Sequence, residues 1–276
     1  MKRIVVPIDF SEDSINALEH AIIMANKLQT HIRLIFVKKS RNFDVQFDLA
    51  KDEPEYKKSV DHYFDMLIEK FRDKYLVSGI FDYKIRTGSI YREITNQAKY
   101  DDAYLIVMGT HGVSGFEEYM IGSNAYRVVS NAPCPVITIR LGYLPSELKR
   151  FVLPIDISRE TRQKVPFIAE LALKFGAEVK IVGVRETNRK AVIFKIEKYC
   201  DQVYNHLISL NIKCSKELIY GDNITKITLD YAKEVDAQLV SIMTEQTESA
   251  ESLWLGDYAQ QMVNHSTIPV ISIHNF

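Results

Sequence analysis

The residues best suited to chemistry stand together in one stretch of the first half: Met108-Gly109-Thr110-His111-Gly112-Val113-Ser114-Gly115, six further residues to Ile121, then Gly122-Ser123-Asn124. Glycine at 109, 112 and 122 removes the Cβ atoms that would hold a ligand away from the chain, so peptide N–H groups can approach a phosphate closely. If Gly122-Ser123 opens a helix, the unsatisfied amides of its first turn and its dipole favour the same negative charge. The chemistry of this pattern is holding an anion. For attacking a bond it offers little: Gly112-Val113-Ser114-Gly115 resembles a nucleophile elbow only superficially, and no second histidine or carboxylate stands at metal-ligand spacing from His111. The sequence also lacks a Gly-x4-Gly-Lys-(Ser/Thr) loop and an HxGH pair.

The elements that must position this stretch follow from periodicity. Ile4 to Ile8 is a short, almost wholly apolar run, as expected of a parallel strand covered on both faces. Ser11 can cap a helix whose apolar positions Ile15, Leu18, Ile22, Ala25 and Leu28 recur at helical spacing, with Glu12 and Asp13 in its first turn. Ile32 to Val37 reads as a second strand and Tyr56 to Tyr75 as a long helix; Phe81 to Ile85 reads as a third strand, with a turn at Gly88. A short helix over Ile90 to Lys99, a strand over Tyr104 to Met108, a helix from Ser123 to Ser130 and a strand over Val136 to Arg140 complete the series. Alternating strands and helices predict a doubly wound α/β fold with a mostly parallel five-stranded sheet and helices on both faces. Ligands of such sheets bind beyond the carboxyl ends of the strands, where the strand order reverses. The glycine stretch follows one of those ends.

The chain repeats this plan. Lys2-Arg3-Ile4-Val5-Val6-Pro7-Ile8-Asp9-Phe10-Ser11 returns as Lys149-Arg150-Phe151-Val152-Leu153-Pro154-Ile155-Asp156-Ile157-Ser158, and Pro135-Val136-Ile137-Thr138-Ile139 returns as Pro269-Val270-Ile271-Ser272-Ile273. Two domains are therefore expected, over residues 1–141 and 148–276, with Gly142 and Pro145 interrupting regular structure between them. Pro166 should kink the first helix of the second half or delay its start. The 276 residues carry 35 Lys+Arg against 36 Asp+Glu, a balance without the basic footprint of a nucleic-acid binder. No stretch approaches the roughly 20 apolar residues of a membrane span. Three cysteines without a CxxC pair suit a reducing compartment, so a cytoplasmic protein is expected.

Gly109-x2-Gly112-x9-Gly122-Ser123 matches the Gly-x2-Gly-x9-Gly-(Ser/Thr) ATP-binding motif of the universal stress protein family, and the first half resembles that family from end to end. The resemblance implies a Rossmann-like, adenine nucleotide alpha hydrolase-like fold. It implies that Pro7, Ile8, Asp9, Val37 and Met108 border the adenine and ribose, while Gly109, His111, Gly112, Gly122, Ser123 and Asn124 face the phosphates. ATP, or ADP or AMP, would be held largely by backbone amides, with Mg2+ carried by the phosphates. In that family domains pair through their final strands, which implies an internal pseudo-dimer joining Val136-Ile137-Thr138-Ile139 to Val270-Ile271-Ser272-Ile273 and leaves dimerisation of whole chains as a further expectation.

The second half departs from the motif. Gly109 becomes Met243, Gly112 becomes Gln246, Gly115 becomes Ser249 and Ser123 becomes Asp257, with Gly256 retained. Glu245, Glu248, Glu251 and Asp257 add negative charge where an anion would sit. Trp254 reads as a packing residue, and Lys38-Lys39-Ser40-Arg41 as a solvated loop. The expectation is an ATP-binding regulator or sensor of the stress response, with a protein partner that the sequence does not name and without dedicated catalytic residues. A nucleotide-independent interaction module and a slow ATPase are the alternatives.

Overall fold

The computed structural model describes residues 2–39, 53–111, 121–244 and 256–274. In the first half the strands are β1 (Arg3–Pro7), β2 (His31–Lys39), β3 (Phe81–Gly88), β4 (Leu105–Gly109) and β5 (Val136–Ile139), with helices α1 (Glu12–Leu28), α2 (Glu53–Phe71), α3 (Ile90–Tyr100) and α4 (Ser123–Asn131) between them. The second half runs β6 (Arg150–Ile155), α5 (Val165–Phe175), β7 (Glu178–Arg185), α6 (Lys190–Ser209), β8 (Cys214–Tyr220), α7 (Ile224–Glu234), β9 (Leu239–Met243), α8 (Asp257–His265) and β10 (Val270–Ile273).

These strands form one ten-stranded sheet in the order β3-β2-β1-β4-β5-β10-β9-β6-β7-β8. Within each half every pairing is parallel, and the order turns back between β1 and β4 in the first half and between β6 and β9 in the second. The halves meet at β5 and β10, which pair antiparallel with Ile137 opposite Ile271. The last strand of each half is therefore interior to the sheet.

Alternation along the strands sorts side chains onto two buried layers. Ile4 and Val6 point to the layer that contains Leu18 of α1, Phe64 of α2 and Cys200 of α6, while Val5 points to the layer that contains Ile94 of α3, Val128 of α4 and Met262 of α8. Both layers run through both halves, with Ile137 and Ile271 in the first and Val136 and Val270 in the second. Cys134 and Cys200 are buried, Cys214 is partly buried, and all three are free thiols.

Helix starts follow local chemistry. Ser11 caps α1 by accepting a hydrogen bond from the Ser14 amide. In the second half the corresponding segment forms a 3-10 turn over Glu160–Arg162, and α5 begins only at Val165 with Pro166 in its first turn. Proline thus delays the helix rather than kinking it, because its missing N–H costs nothing in the first turn. The long second helix starts at Glu53, ahead of the Tyr56 expected, and gives way to a 3-10 turn at Arg72–Lys74.

Candidate functional site

At the carboxyl ends of β1, β2 and β4, where the strand order of the first half reverses, lies a cleft of about 340 Å³. Pro7, Ile8, Asp9, Val37, Met108, Gly109, His111, Gly122, Ser123 and Asn124 all line it. Ten of the eleven residues singled out from the sequence are thus brought to one place; Gly112 lies outside the described residues, as do Gly115, Gln246, Ser249 and Trp254. The cleft also takes in Ile35, Ile90, Ile94 and Ala125, which the sequence places within a strand and two helices without marking them as site residues.

The base of the cleft is held by short-range bonds. After β1 the chain turns through Phe10 at φ 64°, a left-handed conformation uncommon outside glycine. Packing of the Phe10 ring against Phe36 and Phe64, at centroid distances of 5.6 and 5.1 Å, holds that conformation in place. Asp9 then accepts hydrogen bonds from the Ser11 amide at 3.1 Å and the Ser11 hydroxyl at 2.5 Å, while its own amide donates to Ser14 Oγ at 3.4 Å. After β4 the His111 amide donates to the Asp13 carboxylate at 2.5 Å, and the Gly122 amide donates to the Thr110 carbonyl at 2.8 Å. The two ends of the glycine stretch are thereby brought together. Burial raises the Asp13 pKa, against the lowering effect of the amide bond from His111.

Asp13 changes the reason for glycine at 109. A Cβ there would lie 2.7 Å from the Asp13 carboxyl carbon and 3.1 Å from its backbone oxygen, so the bare backbone accommodates the buried carboxylate. Gly109→Ala should lower stability by about 1–3 kcal/mol by forcing Asp13 off the His111 amide, read as a shift in the urea midpoint. An unchanged midpoint would mean that α1 yields without loss.

The α4 end of the cleft is suited to an anion. Helix α4 opens on Gly122 with no side-chain cap and no acidic residue in its first turn, and Ser123, Asn124 and Ala125 of that turn line the cleft. His111 Nδ1 meets Thr110 Oγ1 at 2.9 Å, while its Nε2 is buried without a hydrogen-bond partner among the described residues. A buried ring nitrogen in that condition calls for a polar group to meet it. On the other wall Ile35, Val37, Ile90, Ile94 and Met108 form an apolar slot. A flat apolar ring carrying a phosphate tail fits this division.

The equivalent place in the second half is built differently. Gly256 precedes α8 as Gly122 precedes α4, but the next residue, Asp257, supplies a carboxylate to the helix first turn itself. Tyr258 takes the position of Asn124, and its hydroxyl is buried beside Thr228 and within the field of Asp156. The second half therefore carries a carboxylate and an aromatic ring at the positions where the first half presents Ser123 and Asn124 to the cleft. The Asn124-to-Tyr258 exchange was readable in the sequence, and its meaning depends on the direction in which the ring points.

A doubly wound α/β repeat with a cleft at the strand switch defines the architecture. The model of the universal stress protein family matches residues 1–140 and 147–274, and the chain belongs to that family. A universal stress protein of Methanocaldococcus jannaschii is 31% identical over 152 residues, covering 50% of this chain and 82% of the relative. One from Bacillus subtilis is 28% identical over 145 residues, covering 50% of this chain and 98% of the relative. Both relatives thus correspond to half of this chain. A solved universal stress protein from Archaeoglobus fulgidus superposes with a TM-score of 0.76 over 99% of this chain and 96% of its own, at 19% identity, a likeness of fold. No helix among the described residues is long and apolar enough to cross a membrane.

Proposed function

We propose that the first half binds an adenine nucleotide, and that the chain acts as a cytoplasmic nucleotide-dependent regulator in the stress response. The observation that carries this reading is the cleft itself, which joins an uncapped helix amino terminus and a His111 Nε2 unpartnered among the described residues to an apolar slot at the strand switch. The base would lie between Val37, Met108 and Ile94, with Asp9 at its edge. Amides at Gly122 to Asn124, the Ser123 hydroxyl and His111 would hold the phosphates. A divalent cation would be carried by the phosphates and would offset their charge.

The role proposed is binding that orders a partner surface, without turnover. Calorimetric titration with ATP and Mg2+ should give one site per chain. In a Gly122→Asp variant affinity should fall at least tenfold, because a carboxylate then stands in the cradle and a Cβ stands 3.2 Å from the Thr110 carbonyl oxygen. Absence of binding in the unaltered protein would move the function to nucleotide-independent partner recognition. Phosphate release proportional to enzyme concentration, and absent in the variant, would make the site a slow ATPase.

A further inference from the structure

We infer that the second half completes the site of the first, with Asn264 as a positioning residue for its phosphate-facing turn; this rests on the nucleotide reading above. Asn264 lies near the end of α8, and its Oδ1 accepts a hydrogen bond at 2.8 Å from the amide of Ile121, 143 residues earlier in the chain. Ile121 immediately precedes Gly122 and Ser123, which line the cleft. The Gly122 amide is given to the Thr110 carbonyl of its own half. Two successive amides are thus fixed, one from within the half that holds the described cleft and one from the other half. At the other foot of the glycine stretch the His111 amide is fixed by Asp13, within the first half.

The corresponding residue of the first half makes a different bond. The residue corresponding to Asn264 in the first half is Ser130, whose hydroxyl donates to the Tyr126 carbonyl one turn back along its own helix. A carboxamide at 264 is long enough to leave α8 and reach the other half. It is also a neutral acceptor, and so fixes an amide beside an anion site without adding the negative charge of a carboxylate. The half that carries Tyr258 and Asp257 at the positions of Asn124 and Ser123 supplies this contact to the half with the described cleft. Loss of the nucleotide motif in the second half then leaves it a working part of the first site.

The test uses the full chain and two ligands. ATP with Mg2+ reports the phosphate turn, whereas adenosine, followed by NMR titration, reports the apolar slot alone. Asn264→Leu keeps the side chain's bulk and removes the acceptor; Asn264→Ser, which copies the first half, is the second variant should leucine disturb folding. In either variant ATP affinity should fall about tenfold with adenosine affinity unchanged, the loss expected for one hydrogen bond. Equal weakening of both ligands would show a general loosening of the structure and overturn the inference. So would unchanged ATP binding beside a normally binding unaltered protein, which leaves the nucleotide reading standing. If the unaltered protein binds neither ligand, the nucleotide reading falls and this inference falls with it.

Discussion

Asp101→Ala should lower the stability of the chain by about 3–5 kcal/mol, the range for removing one partner of a buried ion pair. Asp101 follows α3, and its side chain is 2% exposed. It accepts hydrogen bonds from Arg3 Nη1 at 2.8 Å, from Arg33 Nη1 at 3.0 Å and from Gln97 Nε2 at 2.9 Å. Arg33, 8% exposed, is shared with Asp82, which takes its Nε and Nη2 at 2.7 and 2.8 Å. Alanine at 101 strands the Arg3 guanidinium and leaves Arg33 with one carboxylate. The second half arranges the same arginine differently, with the Glu178 carboxylate 3.7 Å from Arg150 Nε. There Val235 stands at the equivalent position, and Arg150, the counterpart of Arg3, donates to the Val235 carbonyl instead. Urea unfolding of Asp101→Ala, of Arg3→Ala and of the double variant would measure the coupling. Additive losses would show that the pair contributes nothing as a pair.

Lys164→Met should stabilise the chain below pH 8, by about 1–3 kcal/mol, because a buried charge is replaced by an apolar chain of similar volume. Lys164 is 3% exposed, and its ammonium donates to the Thr161 carbonyl at 2.8 Å and to Thr161 Oγ1 at 3.3 Å. Burial brings its pKa down from 10.5 to about 8, with the Asp156 carboxylate opposing the shift. The sign follows from proton counting. Below pH 8 both folded and unfolded chains hold the proton, and the full penalty of burying the charge is present. Between pH 8 and 10.5 the unfolded chain binds a proton that the folded chain has lost, so stability rises with pH, by roughly 3 kcal/mol across the interval. The methionine variant should lack that rise. Urea midpoints of both proteins at pH 7, 9 and 10.5 decide the matter, and parallel curves would mean that the amine titrates normally.

Much of the fold was legible because its signals are local. The runs from Ile4 and from Val136, the Ser11 cap and the Pro166 interruption each announce an element within a few residues, and the recurrence of both strand ends announces the repeat. The pairing of β5 with β10 was implied by the family resemblance, in which domains pair through their final strands, together with apolar edges that need cover. The cleft was legible where glycine spacing marks it and illegible where it is lined by Ile90 and Ile94, which resemble any helix face turned to a core. Asp13, Tyr258 and Asn264 were missed for a different reason. Each acts through a contact far away in sequence, or through the direction of one side chain, and neither periodicity nor composition records those.

The antiparallel junction at Ile137 and Ile271 has a consequence for dosage. Separate domains that pair through their last strands come apart on dilution, and a population mixing intact and motif-poor copies would include pairs with two open clefts and pairs with none. Here both copies are translated together, and the linker keeps their effective concentration high at any protein level. Each molecule therefore carries one half with Ser123 and Asn124 at the start of the last helix and one with Asp257 and Tyr258 there, a fixed ratio that neither expression level nor exchange of subunits can alter.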